Sequence, residues 1–362
     1  MPNSVQLPDL LSLCRAFELR TNRHCRTVTS ASEHWFTAQQ DLMNDTEKAG
    51  LRFMKIGLWA SVCFPTCDPP QLRLATDFLT ALVLCNCRLA QARTLRDCGW
   101  TDEQLPGGLS CLSDNILFCA LHLSPGYSIV QQLAGAMPSE SSRQRFNRSA
   151  EAFRTAQMQI LSHRRNNTLP TLEAYTELRR DLSGIPMVFD LIEMTEGLQM
   201  PPSDHGGDSL KSSAADLIAL SIDIFAYSND QFFDNQFNIV SILRAHKGVS
   251  VQAALNHAFS FTEQAFQKFI STESALLSEN TVPLQTTSLW AWRPFRPSSA
   301  VAPEKTPLTS DSKLYLRGLK DCIVGTLNWS YETELYFGSK GDEVRQFGWV
   351  FLKSREGGLE EG

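Results

Sequence analysis

No stretch of this sequence reaches the roughly 18–20 uninterrupted apolar residues that a membrane-spanning helix needs, so no transmembrane segment is expected. There is no basic stripe either. With 33 lysines and arginines against 39 acidic residues, the net charge is −6, and nothing is available to neutralise nucleic-acid phosphates. Alternation of period two is sustained nowhere, and neither Asn-Gly nor Asp-Gly occurs, so hairpins are not expected. At the start, Arg15 follows a short apolar run with no basic segment before it, unlike a secretory signal; the expected compartment is the cytoplasm. The ten cysteines do not make a zinc site: Cys63/Cys67 and Cys85/Cys87 lack two-residue spacing and a nearby histidine. Many cysteines sit in apolar runs, where a free thiol behaves as a small hydrophobe, so buried thiols are expected.

What is present is enough apolar material for a large core: 43% hydrophobic residues in 362, with 20% charged. The chain is read as one all-α domain over residues 1–362, with an N-terminal segment (1–30) and a frayed tail (354–362). Its central stretch runs from Asp68 to Trp100. Asp68 can cap, Pro69 can sit at the first helical position and Gln71 can complete a capping box. No Gly or Pro follows Pro70 until Gly99, and Leu74, Phe78, Leu82, Cys85 and Leu89 recur at helical spacing. The middle of this helix is apolar on nearly every side, which predicts burial, and Asn86 is the one strongly polar residue between Ala81 and Cys87. A buried amide there must find a hydrogen-bond partner or a cavity.

Further helices are predicted over 30–62 (capped by Ser30 or Ser32), 112–123, 139–162, 172–194 with an interruption at Ser183-Gly184-Ile185-Pro186, 214–233, 238–245, 249–277 and 314–337. Pro106-Gly107-Gly108 breaks the chain, and polar loops are predicted over 201–213 and 294–312. No internal repeat is present.

Five stretches carry a family resemblance. They are LPDLLSLCRAFELRTN (Leu7–Asn22), LRLATDFLTALVL (Leu72–Leu84), LPTLEAYTELRRDLSGIP (Leu169–Pro186), NIVSIL (Asn238–Leu243) and GLKDCIVGTLNWSYETELYF (Gly318–Phe337). In this order they resemble the class I terpene synthases, most closely the fungal sesquiterpene cyclase branch. The resemblance implies a single-domain α-bundle around a central cavity. In that family a prenyl diphosphate leaves as an anion neutralised by Mg²⁺ and cationic donors, carboxylates on two facing helices hold the metal, and the carbocation folds inside an aromatic-lined cavity that excludes water.

Laid on this chain, the family's aspartate-rich motif falls on Asn86, Cys87 and Ala90, none a carboxylate. The second motif, Asn-Asp-x-x-Ser-x-x-x-Glu, falls on Ile222 to Asp230, which places Ile222 and Ala226 at ligand positions and leaves Asp230 as the one remaining candidate. A register beginning at Asn229-Asp230 puts Phe233 and Phe237 at the Ser and Glu positions instead. The C-terminal Arg-Tyr pair falls on Leu335-Tyr336. What the resemblance keeps is Arg179-Arg180, with Arg180 as the diphosphate-sensing arginine, and Ser183-Gly184 as the helix break; the plain alternative for the arginines is an ion pair with Glu177 or Asp181. Leu82, Asn86, Gly184, Ile222, Ala226 and Trp329 are expected on the cavity wall with Arg180, core packing being the alternative for Trp329. Asp230 reads either as an acid or base or as a solvated helix-end carboxylate, and Asp223 and Tyr336 are the other proton-transfer candidates.

Fold does not dictate function. Three functions fit this pattern. The first is a Mg²⁺- and diphosphate-independent enzyme acting on a finished terpenoid. It is similar to terpene-cyclase homologues repurposed for terpenoid alkaloids, as in flavunoidine formation, where an amine is joined to a sesquiterpene core through a C–N bond. The second is a sesquiterpene cyclase that ionises farnesyl diphosphate at an atypical Mg²⁺ site. The third is a non-catalytic terpenoid-binding protein. The partners implied are a terpenoid and an amine, with no nucleic acid and no membrane, in a monomer or weak homodimer.

Overall fold

A computed structural model of the chain describes residues 4–38, 43–91, 129–200, 205–278 and 309–353. The predicted helix over 112–123, the break at 106–108, Cys98, Cys111, Cys119 and the tail from 354 lie outside the described residues.

Helices dominate, as the patterning predicts. In chain order they are α1 (Cys25–Ala38), α2 (Asp45–Leu51), α3 (Ile56–Cys63), α4 (Pro69–Gln91), α5 (Ile129–Ala136), α6 (Glu140–Asn166), α7 (Leu172–Leu182), α8 (Ile185–Glu196), α9 (His205–Phe232), α10 (Ile239–Lys247), α11 (Val251–Ser278), α12 (Ser310–Glu332), α13 (Glu334–Phe337) and α14 (Gly341–Phe347). Their starts obey simple capping chemistry. Ser139, Thr171, Asn238 and Thr309 each accept a hydrogen bond from a backbone N–H two or three residues on, and Asn44 and Glu47 form a reciprocal capping box.

Several expectations are corrected. The segment 30–62 is three helices rather than one, and Ser32 is no cap: it is buried inside α1 and donates to Asp77 of α4 at 2.6 Å. The capping box expected at Asp68 is not made, because Gln71 Oε1 accepts no hydrogen bond; only the Asp68 carbonyl serves, taking the Leu72 N–H at 3.0 Å. The stretch 205–213, read as loop from its Gly and polar content, is the first part of α9, where burial of Leu210, Ala214 and Leu217 outweighs weak local propensity. The last long helix begins four residues early, at Ser310. The all-α reading also missed an antiparallel pair, β1 (Ser4–Gln6) with β2 (Trp349–Phe351), too short to show a period of two.

A continuous apolar core joins the helices. The α4 residues Phe78, Leu79 and Leu82 are at most 1% exposed, each contributing roughly 1.5–3 kcal/mol of burial. Helix α9 packs along α11, α3 against α12, and α6 against α7 and α8. The interruption at 183–186 is real. Gly184 adopts φ +73°, Pro186 falls in the first turn of α8, and a Cβ on Gly184 would come within 2.5 Å of Leu82 Cδ1. Buried thiols are as expected: Cys14, Cys63, Cys67, Cys85 and Cys322 are free and buried, and Cys25 and Cys87 are free and half-buried. No helix among the described residues is long and apolar enough to cross a membrane.

Candidate active site

Between α4, α7, α9 and the α12–α13 corner lies a cavity of about 530 Å³, within the range of small-molecule sites. Helical geometry explains who faces it. On α4, Leu82, Asn86, Leu89 and Ala90 recur at three- and four-residue steps and form one stripe; on α9, Ile222, Ala226, Asn229 and Asp230 do the same on the opposite wall. Cys87 joins the first wall, and Trp59, Trp329, Leu335 and Tyr336 form the far side. Trp329 is both cavity wall and core. It stacks on Trp59 at 4.6 Å with planes 13° apart, and Tyr336 meets its edge at 6.2 Å. Asn86 faces the cavity and donates to the Ser183 carbonyl at 3.4 Å.

The arginines sort differently from expectation. Arg179, one residue and therefore about 100° away from Arg180 around the helix, is the one that lines the cavity. Arg180 turns away and pairs with Asp216 through two N–H groups at 2.6 and 2.8 Å, so it is not brought to the site. Neither arginine pairs with Glu177 or Asp181 as the plain alternative had it. Gly184 is not on the wall; it sits behind Leu82.

The carboxylates are largely spoken for. Asp223, 2% exposed, accepts from Arg179 Nε at 2.6 Å on one oxygen, and from the Tyr175 hydroxyl and the Ile239 N–H, both at 2.8 Å, on the other. Both of its oxygens are thus occupied by protein donors, which ties α9 to α7 and to the start of α10. Burial works against the Arg179 charge, yet Asp223, Tyr175 and Asp230 together hold the guanidinium above its ordinary pKa. Glu47 is held by both arms of Arg88 at 2.7 Å. Asp230 differs in having neutral donors alone. It is no solvated helix-end carboxylate: it is half-buried, facing the cavity with protein packed elsewhere around it. Burial raises its carboxyl to about 6, opposed by the Asn235 amide at 2.9 Å and the Asn238 amide at 2.8 Å. Burial likewise pushes the Tyr336 hydroxyl well above its ordinary range and the Cys87 thiol up to about 11, so both stay protonated near neutrality.

These residues do not fit a Mg²⁺ cluster. The three carboxylates on the wall are each engaged by donors, the positions facing Asp230 across the cavity are an amide, a thiol and a methyl group, and no group of three or more His, Cys, Asp or Glu among the described residues could hold a metal. What the arrangement can do is exchange a proton at Asp230 inside an apolar, aromatic chamber.

Three features escaped sequence reasoning: the choice of Arg179 over Arg180, the Arg88–Glu47 pair, and Arg164 of α6, which also lines the cavity. Arg88 carried a usable signal, since a charge inside so apolar a helix needs a partner. Arg164 carried none, because its partners are backbone carbonyls and a distant amide.

Residues 110–268 match the family described as "Terpene synthase family 2, C-terminal metal binding". Sesquiterpene synthase Agr1 of Cyclocybe aegerita is 30% identical over 97% of this chain and 93% of its own length; sesquiterpene synthase 1 of Postia placenta is 28% identical over 98% and 96%. Among solved structures, α-eudesmol synthase superposes with a TM-score of 0.63 at 15% identity, covering 87% of this chain and 96% of that one. Hedycaryol synthase in complex with nerolidol gives a TM-score of 0.62 at 17% identity, with the same coverage. The two structures establish the all-α fold, and the match to Agr1 along almost the whole of both chains establishes the kinship: the chain belongs to the terpene synthase family.

Proposed function

We propose that this terpene synthase homologue acts on a preformed sesquiterpenoid, joining an amine to it by a C–N bond without Mg²⁺ and without ionising a prenyl diphosphate. The observation that carries the reading is the composition of the two facing walls. Asn86, Cys87 and Ala90 stand opposite Ile222, Ala226 and Asp230, so the one carboxylate in the set is the half-buried Asp230, engaged by two amides. A diphosphate leaving group needs several cationic partners, whereas an oxygen on a terpenoid needs one proton.

In the proposed step the protonated Asp230 donates to the departing oxygen of an activated alcohol. The amine nitrogen attacks the carbon as the C–O bond breaks, and the Asp230 carboxylate then takes the ammonium proton. Alcohol and amine go in, and substituted amine and water come out. A carboxyl raised to about 6 can reach both protonation states near neutral pH. Leu82, Trp59, Trp329 and Tyr336 would enclose the hydrocarbon skeleton.

The test is incubation of purified protein with an oxidised sesquiterpene, an amine and EDTA. A coupled product is expected, and a strict Mg²⁺ requirement would sink the proposal. The second reading, a cyclase acting on farnesyl diphosphate, is favoured by relatives named as sesquiterpene synthases that align along nearly the entire chain. Abundant cyclic hydrocarbon from farnesyl diphosphate and Mg²⁺ would favour it. Saturable ligand binding without turnover in either assay would favour a terpenoid carrier.

A further inference from the structure

Two walls of the cavity are bridged by a lining side chain to which the proposed chemistry gives no role. Arg164 lies in the last turn of α6. Its Nη1 donates to the Leu89 carbonyl, and its Nη2 donates to the Ala90 carbonyl at 3.3 Å and to Asn235 Oδ1 at 3.2 Å. Its guanidinium also lies 5.3 Å from the centre of the Phe237 ring. Leu89 and Ala90 belong to the last described turn of α4. Asn235 belongs to the connection between α9 and α10, on the opposite wall. Its other amide arm donates to Asp230 Oδ1 at 2.9 Å, and its backbone N–H donates to the Asp230 carbonyl at 2.8 Å.

The relay therefore runs from α4 through Arg164 and Asn235 to Asp230 on α9. It also decides which way the Asn235 amide points. Its oxygen accepts from Arg164 and from the Phe237 N–H at 3.3 Å, which leaves the NH₂ for the carboxylate. Reversed, the amide would present an oxygen to Asp230.

We infer that Arg164 is a positioning residue that clamps the two walls of the cavity together and orients Asp230 through Asn235, a cation of the chain itself bridging the walls. The inference rests on the proposed metal-free reading of the site. Five planar N–H donors make arginine suited to two carbonyls and an amide at once; lysine, with one ammonium, can serve one side or the other.

The test is hydrogen–deuterium exchange of the full chain in EDTA without substrate, read over residues 84–91 and 229–238. It is paired with the rate at which a maleimide labels Cys87 on the cavity wall. In Arg164→Ala both segments are expected to exchange faster together, with Cys87 labelled about tenfold faster, as befits the loss of charge-assisted hydrogen bonds. Arg164→Lys, the variant to rely on if alanine does not fold, is expected to keep one segment protected and lose the other. Arg180→Ala, which removes a two-armed arginine contact, the ion pair with Asp216, outside the cavity, is expected to leave both segments and Cys87 as in wild type.

Wild-type exchange in a folded Arg164→Ala or Arg164→Lys protein overturns the inference. So does equal loosening by Arg180→Ala, which would make Arg164 one stabilising contact among many. No turnover is involved, so a Mg²⁺-dependent reaction would defeat the proposed function and leave the clamp standing, whereas unchanged exchange would defeat the clamp alone.

Discussion

Asp223 and Asp230 lie two helical turns apart on one face of α9, and their surroundings give them opposite characters. Asp223 is held by Arg179, the Tyr175 hydroxyl and the Ile239 N–H; Asp230, with amide donors only, is left where burial can raise its carboxyl. The sign of the consequence is definite. The unfolded chain loses the Asp230 proton near the ordinary 3.8, and the folded chain loses it only near 6. The stability this group contributes is therefore full below pH about 4, declines as pH rises to about 6, and is gone above that. Asp230→Asn, a neutral stand-in for the protonated acid, should flatten that slope: melting temperatures of the two proteins, measured from pH 3.5 to 7.5, are expected to lie closest at the acid end and to diverge as pH rises through about 6, with the variant the less pH-sensitive. Parallel curves would mean that Asp230 titrates normally. The same variant should lower turnover in the coupling assay by about 10²–10⁴-fold if Asp230 moves the proton.

Helical elements were legible in the sequence where burial and propensity agree. The 3.6-residue recurrence of Leu74, Phe78, Leu82 and Leu89 marked α4, and Ser183-Gly184-Ile185-Pro186 marked the break between α7 and α8. Legibility failed where tertiary packing decided the outcome. The first turns of α9 are Gly-rich and polar yet helical, and two adjacent arginines on α7 are sent to different places by a rotation no local pattern encodes. The stripe of cavity-facing positions on α4 and α9 could be written down from spacing alone; the hydrogen bonds that occupy its carboxylates could not. The break offers a test at this scale. Gly184→Ala should destabilise by more than about 1 kcal/mol, from the left-handed φ and the contact with Leu82 together. Adding Leu82→Ala should relieve the steric share and leave the backbone share, which chemical denaturation of the two variants would separate. Additive destabilisation would mean that the two residues do not press on each other.

At the scale of the whole molecule, the metal-free chemistry proposed for the site would draw on positions of three walls, and a change at one wall is not expected to undo it. Restoring carboxylates with Asn86→Asp, Cys87→Asp and Ala90→Asp should yield no cyclic product from farnesyl diphosphate and Mg²⁺ by gas chromatography, because Ile222, Ala226 and Leu335 remain at the other wall positions. Appearance of a cyclic hydrocarbon would show the other walls to be competent already. The small sheet carries a different consequence. Ser4–Gln6 pairs with Trp349–Phe351, so its strands are separated by most of the sequence. During synthesis β1 emerges from the ribosome early and has no partner until residue 351 follows it out. The pairing that joins them is among the most costly in loop entropy, and it is expected to be the last step in assembly rather than its nucleus.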